Sequence, residues 1–281
     1  MAWNQHFFYT KSPSSLMDTS IISILLPTYN GSRYIREAID SVLAQDFHSF
    51  ELIIINDAST DKTGEILEEY RQKDSRVRIL TNPKNLRLVA SLNYWIQESK
   101  GEYIARIDDD DIWIDQSKLS KQIHVFQENS QIGIVGTLGE IIDDAGEKTG
   151  KKILHATSQQ AVRWGFCFRN QLIHTSILAK KEILVTAGWY NTKWLYVEDF
   201  DLWLRVLALG YEIVNLHDFS VLYRVRSWST TGRKYHRMQW LTFLRLFHET
   251  SLYTNIGRKL FFLFLRSILV VVTIGFSNYF K

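Results

Sequence analysis

Short apolar runs alternate with amphipathic segments from the start of this chain, and that alternation limits what it can fold into. IISILL (21–26), FELIIIN (50–56) and VRILTN (77–82) are rich in β-branched residues, the pattern of strands buried on both faces. Between the first two, SRYIREAIDSVLAQ (32–45) sets Ile35, Ile39, Val42 and Leu43 on one helical face. The next helix, capped by Ser59 or Thr60, carries Ile66, Leu67 and Tyr70. LRLVASLNYWIQES (86–99) reads as a third helix with a stop at Gly101, and GEYIARI (101–107) as a fourth strand. QSKLSKQIHVFQEN (116–129) is a further helix, and IGIVGTLGEII (132–142) a strand that ends in the turn DDAGE (143–147). Such alternation predicts an α/β domain: a mostly parallel sheet flanked by helices on both faces. The 281 residues, 46% of them hydrophobic, suffice for one such domain and an appendage.

Ligands of open α/β sheets bind at the carboxyl ends of the strands. Three polar clusters fall there: PTYNG (27–31), NDAST (56–60) and DDDD (108–111). PTYNGS is not the glycine-rich turn of a dinucleotide fold, and no Walker A loop is present. Bare carboxylates repel a diphosphate, and a divalent cation reverses that sign by bridging the two sets of oxygens. Oxygen ligands select Mg2+ or Mn2+ over zinc. The aspartates are therefore expected to hold a metal, and the metal a diphosphate. The plainer reading of DDDD is an acidic loop capping the helix that begins near Asp115 or Gln116. Asp57 reads equally as an acceptor for a nucleotide base or as an Asx turn with Ser59 and Thr60. In VEDFDLWLR (197–205), Glu198 and Asp199 fall in the first turn of a helix, where the dipole favours anions. Asp201 and Arg205 have the spacing of a surface ion pair. Asp199, if it faces the metal site, is placed to take a proton from a hydroxyl.

Charge is uneven. From Arg224 to Lys281 there are ten Lys/Arg and one acid, whereas the rest of the chain has 23 basic and 29 acidic residues. An acidic body with a basic aromatic tail is not the even field of a nucleic-acid binder; it fits a tail that meets anionic lipid. The stretch LFFLFLRSILVVVTIGF (260–276) is short for a spanning helix and contains Arg266, so an interfacial or re-entrant helix is expected. The single Cys167 excludes an internal disulfide. The expected organisation is a leader over 1–19, a catalytic domain over 20–232 and a membrane-associated helical tail over 233–281. The location expected with it is the cytoplasmic face of the inner or plasma membrane, peripheral or re-entrant.

ISILLPTYNG, ELIIINDASTDKT, GEYIARIDDDDIW and VEDFDLWLR, in this order and spacing, resemble the family 2 glycosyltransferases, inverting enzymes of the GT-A fold. HTSILAKKEILVTAGWY (174–190) is similar to the family's stretch before its catalytic helix. The resemblance implies that Pro27, Thr28 and Tyr29 line a nucleotide pocket and that Asp57 accepts from a uracil-type base. It implies that Arg87 faces the base or pyrophosphate, where relatives often have glycine, and Ala58 likewise stands where glycine is common. Asp108 and Asp110 become the outer members of a DxD motif, Asp108 toward the ribose and Asp110 on the metal, with Asp109 between them on the nucleotide sugar. Asp199 matches the general base. Arg226 stands where many relatives have histidine and is suited to neutralise a leaving diphosphate. Glu198, Trp194 and His174 are candidates for the acceptor side, whereas Trp203 fits an apolar helix face. The implied partners are a nucleotide-diphosphate sugar, with UDP favoured, and a saccharide or lipid-linked acceptor of bacterial surface polysaccharide. No Q-x-x-R-W signature of processive synthases is present, which argues for single additions. Two rival classes remain: a sugar-phosphate nucleotidyltransferase, which would want a glycine-rich basic loop after the first strand, and a non-catalytic sugar- or lipid-binding scaffold.

Overall fold

The structure is a computed structural model and describes residues 22–166, 169–194 and 196–226. The leader (1–19) and the basic tail (233–281) lie outside the described residues. Strands β1 (Ile22–Thr28), β2 (Phe50–Asn56), β3 (Val77–Thr81) and β4 (Tyr103–Arg106) lie parallel in the order β3-β2-β1-β4. They are joined by helices α1 (Ile35–Leu43), α2 (Thr63–Lys73) and α3 (Leu88–Glu98). β1 and β2 are buried along almost their whole length, as their unbroken apolar runs require. Alternate residues serve the two faces. Ile24, Leu26, Leu52 and Ile54 pack with α1 and α2, while Leu25, Ile53 and Ile55 pack with Val89, Leu92 and Ile96 of α3.

The second half adds β5 (Ile112–Trp113), α4 (Lys118–Glu128), β6 (Ile132–Ile142), β7 (Lys148–Ile153) and α5 (Gln159–Gly165). β8 (Leu178–Lys180), α6 (Lys181–Thr186), α7 (Glu198–Ala208) and β9 (Glu212–Arg224) complete it. The sheet continues from β4 as β8-β6-β9-β5, with β7 on β6. Here the expected mostly parallel sheet gives way to a mixed one. β8 is antiparallel to both β4 and β6, β7 to β6, and β5 to β9; only β6 and β9 run parallel. The physical reason is the connections. The tight turn after β6 forces β7 to return antiparallel. β8 is a three-residue strand that closes onto β4 from the opposite direction. Register shifts along β6 and β9 curl this half of the sheet.

α7 crosses the face opposite α1. Trp203 is fully buried there, as its position on an apolar helix face predicted, and truncating a side chain like this to alanine costs about 3–5 kcal/mol. The Asp201–Arg205 pair forms, but not at the surface. Asp201 is buried, and Arg205 also donates to the carbonyls of Ala187 and Trp189, fixing the loop that leads into α7. Among the described residues no helix is long and apolar enough to cross a membrane.

Candidate active site

The ends of β1 and β2 are stitched together. Asn30 N–H donates to Ser59 Oγ at 3.0 Å, and Asn30 Oδ1 accepts from Thr60 N–H at 2.8 Å. Thr28 Oγ1 donates to Asp109 Oδ2 at 2.6 Å. A Cβ on Gly31 would stand 2.3 Å from that Asp109 oxygen and 2.4 Å from Thr28 Oγ1, so only glycine lets the PTYNG turn close over the aspartate. Pro27 is half-buried, and the Tyr29 ring is 50% exposed beside it.

Asp57 is buried, and its carboxylate organises the loop that leads into α3. Oδ1 accepts from Asn82 Nδ2 at 2.7 Å and Leu86 N–H at 2.9 Å; Oδ2 accepts from Arg87 N–H at 3.0 Å. The Asx turn considered for Asp57 belongs to its neighbour, since Asn56 Oδ1 accepts from Ser59 N–H at 2.9 Å. Oδ2 holds one bond and keeps a lone pair for a further donor. Arg87 and Ala58, both in places where glycine is common in the family it resembles, have φ of 65° and 63°. Arg87 has ψ of 161°, a region that side chains normally avoid. Asn30, Trp189 and Tyr196 share positive φ and also lie in loops after β1 or before α7.

The four aspartates diverge. Asp108 points back to the buried Arg106, with Oδ1 2.5 Å from its guanidinium, and its N–H donates to Thr175 Oγ1 at 3.0 Å. Asp109 lies between Thr28 and Arg226, the latter at 3.3 Å, and burial pushes its carboxyl up to about 7. Asp110 is ion-paired to Arg226, and burial together with the Asp108 charge raises it. Asp111 is fully buried, raised by burial and its neighbours, and Oδ1 accepts from Arg224 N–H at 2.9 Å. Arg224 then fastens the turn to the rest of the domain. It donates to Asp110 O at 2.9 Å and meets Glu37 Oε2 at 2.7 Å. A helix cap would use one aspartate; three of these meet arginines from β4 or the end of β9.

The start of α7 supplies the second acidic group. Asp199 Oδ2 accepts from Asn170 Nδ2 at 2.7 Å, and Oδ1 from Phe200 N–H at 2.7 Å. Burial raises its carboxyl, while those two donors and the Arg106 charge pull it back. Glu198 is pushed up to about 7 by burial and by Asp199, and its Oε2 has no partner among the described residues. Arg106, Asp108, His174, Glu198 and Asp199 all line one cavity of about 860 Å³, with Arg87 and Leu86 across from them. His174 Nε2 lies 2.7 Å from Tyr190 Oη, and burial keeps the imidazole neutral.

The expected residues thus fall into two adjoining groups. Thr28, Asp109, Asp110 and Arg226 form one; Asp108, His174, Glu198 and Asp199 face the cavity. Trp194 is a correction. It is buried in the core beside Phe200 and Val197, and Tyr196, 40% exposed, takes the cavity wall in its place. Arg106, Asn170 and Arg224 were not singled out from sequence. A buried arginine two residues before an aspartate run was a usable signal for Arg106; Asn170 and Arg224 gave none.

The donor set of Asp108 and Asp110 is all oxygen, which suits Mg2+ or Mn2+. Among the described residues no three His, Cys, Asp or Glu side chains converge as a metal cage. Such ions are commonly held by one or two carboxylates completed by substrate phosphates, so these residues fit the group.

Comparisons with known proteins identify the family and the fold. The model of the family "Glycosyl transferase family 2" matches residues 23–185. EpsE of Bacillus subtilis, named as a glycosyltransferase, is 33% identical over 211 residues, 73% of this chain and 72% of its own. WfaP of Escherichia coli, named as a UDP-Glc:alpha-D-GlcNAc-diphosphoundecaprenol beta-1,3-glucosyltransferase, is 28% identical over 85% of this chain and 88% of its own. Among solved structures, the mannosyltransferase PcManGT of Pyrobaculum calidifontis, in complex with GDP-Man and Mn2+, superposes with a TM-score of 0.62 at 16% identity. TarS residues 1–349 of S. aureus, with UDP-GlcNAc, does so with a TM-score of 0.62 at 18% identity. This chain spans 82% and 79% of its own length in those two matches and 63% and 65% of theirs. These likenesses give it the GT-A-like fold, a curled mixed sheet flanked by helices. With the family model covering more than half its length and a relative 33% identical over most of both chains, this protein belongs to glycosyl transferase family 2.

Proposed function

We propose that this glycosyltransferase moves one hexosyl-type sugar from a nucleotide-diphosphate sugar to an acceptor hydroxyl, with inversion and with the aid of Mn2+ or Mg2+. The observation that carries the reading is the single cavity that Asp108 and Asp199 share, with Asp109, Asp110 and Arg226 beside it. The nucleotide lies over PTYNG, its base against Tyr29 and the open lone pair of Asp57, with Arg87 and Asp108 around the ribose and diphosphate. Asp199 takes the proton of the acceptor hydroxyl. The acceptor oxygen bonds to the anomeric carbon on the face opposite the diphosphate, and the carbon–oxygen bond to the diphosphate breaks. Arg226, freed from Asp110, follows the charge onto the leaving nucleoside diphosphate. A bound divalent cation would be held by Asp110 and would supply further charge neutralisation to that leaving group. Glu198 and His174 border the acceptor hydroxyl.

A UDP-sugar is favoured by the resemblance, by the UDP-Glc activity WfaP is named for and by the UDP-GlcNAc bound to TarS, while the GDP-Man complex keeps guanosine in the donor panel. WfaP's named acceptor, a diphosphoundecaprenol-linked sugar, supports a lipid-linked acceptor in surface polysaccharide assembly here. The tail (233–281) would hold the domain at the cytoplasmic membrane face. The test is a donor panel with Mn2+, Mg2+ or chelator, read as free nucleoside diphosphate and as donor binding. Metal-dependent binding and release from one donor is expected; no binding of any nucleotide sugar would end this reading.

A further inference from the structure

From Lys148 to Lys181 the chain has seven Lys/Arg and no Asp or Glu. The end of β7 borders the cavity through Ile153 and, just beyond it, His155, and α5 follows in the chain. Lys148 is paired with Glu140. Lys152 stands opposite Glu140 in the β6–β7 ladder without a close ion pair, and Lys151, Arg163 and Arg169 have no carboxylate ion pair among the described residues. Lys152 rests over the Phe219 ring at 4.4 Å, and Arg169 donates to Leu154 O at 3.1 Å, tying α5's C-terminal side to the end of β7.

Between these cations stand two large apolar side chains that are exposed among the described residues. Leu154 is 57% exposed and Trp164 48%. Trp164 sits midway between Val162 and Phe166, which are 0% and 1% exposed, so the helix turns its ring away from the core. Lysines on an edge strand ordinarily keep other strands from pairing with it, and that accounts for Lys151 and Lys152. It does not account for Arg163 on the helix or for an exposed leucine and tryptophan beside them. Basic residues around protruding apolar ones are the chemistry of a surface that enters the headgroup layer of an anionic bilayer.

We propose that the β7–α5 rim is a membrane-docking surface for anionic phospholipid, with Leu154 and Trp164 as the inserted residues and Lys151, Lys152, Arg163 and Arg169 as headgroup contacts. It is a second contact, on the folded body, distinct from the one expected of the tail, and it does not depend on the reaction proposed above. It would bring the Ile153–His155 rim of the cavity to the bilayer.

The test uses the full chain with phosphatidylcholine vesicles, with and without phosphatidylglycerol, and reads amide hydrogen exchange by segment so that contact through the tail is scored separately. Protection over 148–166 that appears with the anionic vesicles is expected. Leu154→Glu with Trp164→Glu should abolish that protection and weaken vesicle binding about tenfold, while Arg163→Gln alone should weaken it about fivefold. All three residues are exposed, so an unchanged thermal midpoint confirms that the variants fold. Protection confined to other segments, or a double variant that binds like the wild type, would overturn the proposal. So would protection that grows with protein concentration without vesicles, since a second copy would then cover this face.

Discussion

Asp109, Asp110 and Asp111 on one side and Glu198 and Asp199 on the other are all pushed toward protonation, yet the protein treats the two acidic groups differently. Three of the aspartates at 108–111 are met by full positive charges, Arg106 on Asp108 and Arg226 on Asp109 and Asp110, while Asp111 accepts from the Arg224 backbone. Glu198 and Asp199 receive only neutral donors at close range, an asparagine amide and a backbone N–H on Asp199. A carboxylate paired with a guanidinium is suited to exchange of one cation for another. A carboxylate held by an amide keeps a raised pKa and suits the uptake of a proton. In the proposed reaction the first group would handle cations and the second a proton.

The sharpest way to break this division is at Asp199. Asp199→Asn should lower kcat about a thousandfold, the scale of lost general-base catalysis, with the donor KM unchanged; steady-state kinetics checks both. Asp110→Ala acts on the other group. It should weaken donor binding about a hundredfold in the presence of metal and remove the effect of chelator, as read by calorimetry with and without Mn2+. The pH profile sharpens the second group. Transfer needs Asp199 ionised, and burial raises its carboxyl, so kcat/KM should climb through an acid limb that lies above the usual carboxylate range. Asn170 stabilises the ionised form of Asp199, so Asn170→Ala should move that limb to higher pH and cost about tenfold in rate on its acid side. The smallest effect is at Arg87. Arg87→Gly relieves a backbone that costs about 1–3 kcal/mol, so the melting temperature should rise by a few degrees while the donor KM rises severalfold.

The first half of the fold was legible because its signals are local. The apolar runs of β1 and β2 and the amphipathic periods of α1 to α4 each state their own structure within a dozen residues. The clusters at Thr28, Asp57 and Asp108–Asp111 were legible because a parallel sheet has one functional edge. The mixed second half was not, since strand direction there is set by connections and by pairing between strands far apart in sequence. The same limit applies to the site's supporting residues. Arg224 meets Asp111 from 113 positions away, and Asn170 meets Asp199 across a loop that carries no pattern of its own. Trp194 misled because a tryptophan before a catalytic helix looks the same in sequence whether it faces a cavity or the core. Ala58 and Arg87 stand out as departures from glycine, and their positive φ shows the backbone reason glycine suits those places.

The most direct test of the division between the two acidic groups is a single equilibrium titration of wild type, Asp199→Asn and Asp110→Ala with the donor, in Mn2+ and in chelator. The account predicts that Asp199→Asn binds donor as wild type does and only with metal, while Asp110→Ala loses the metal-dependent part of binding. If Asp110→Ala keeps full metal-dependent affinity and Asp199→Asn loses it, the two roles are reversed and the account is contradicted.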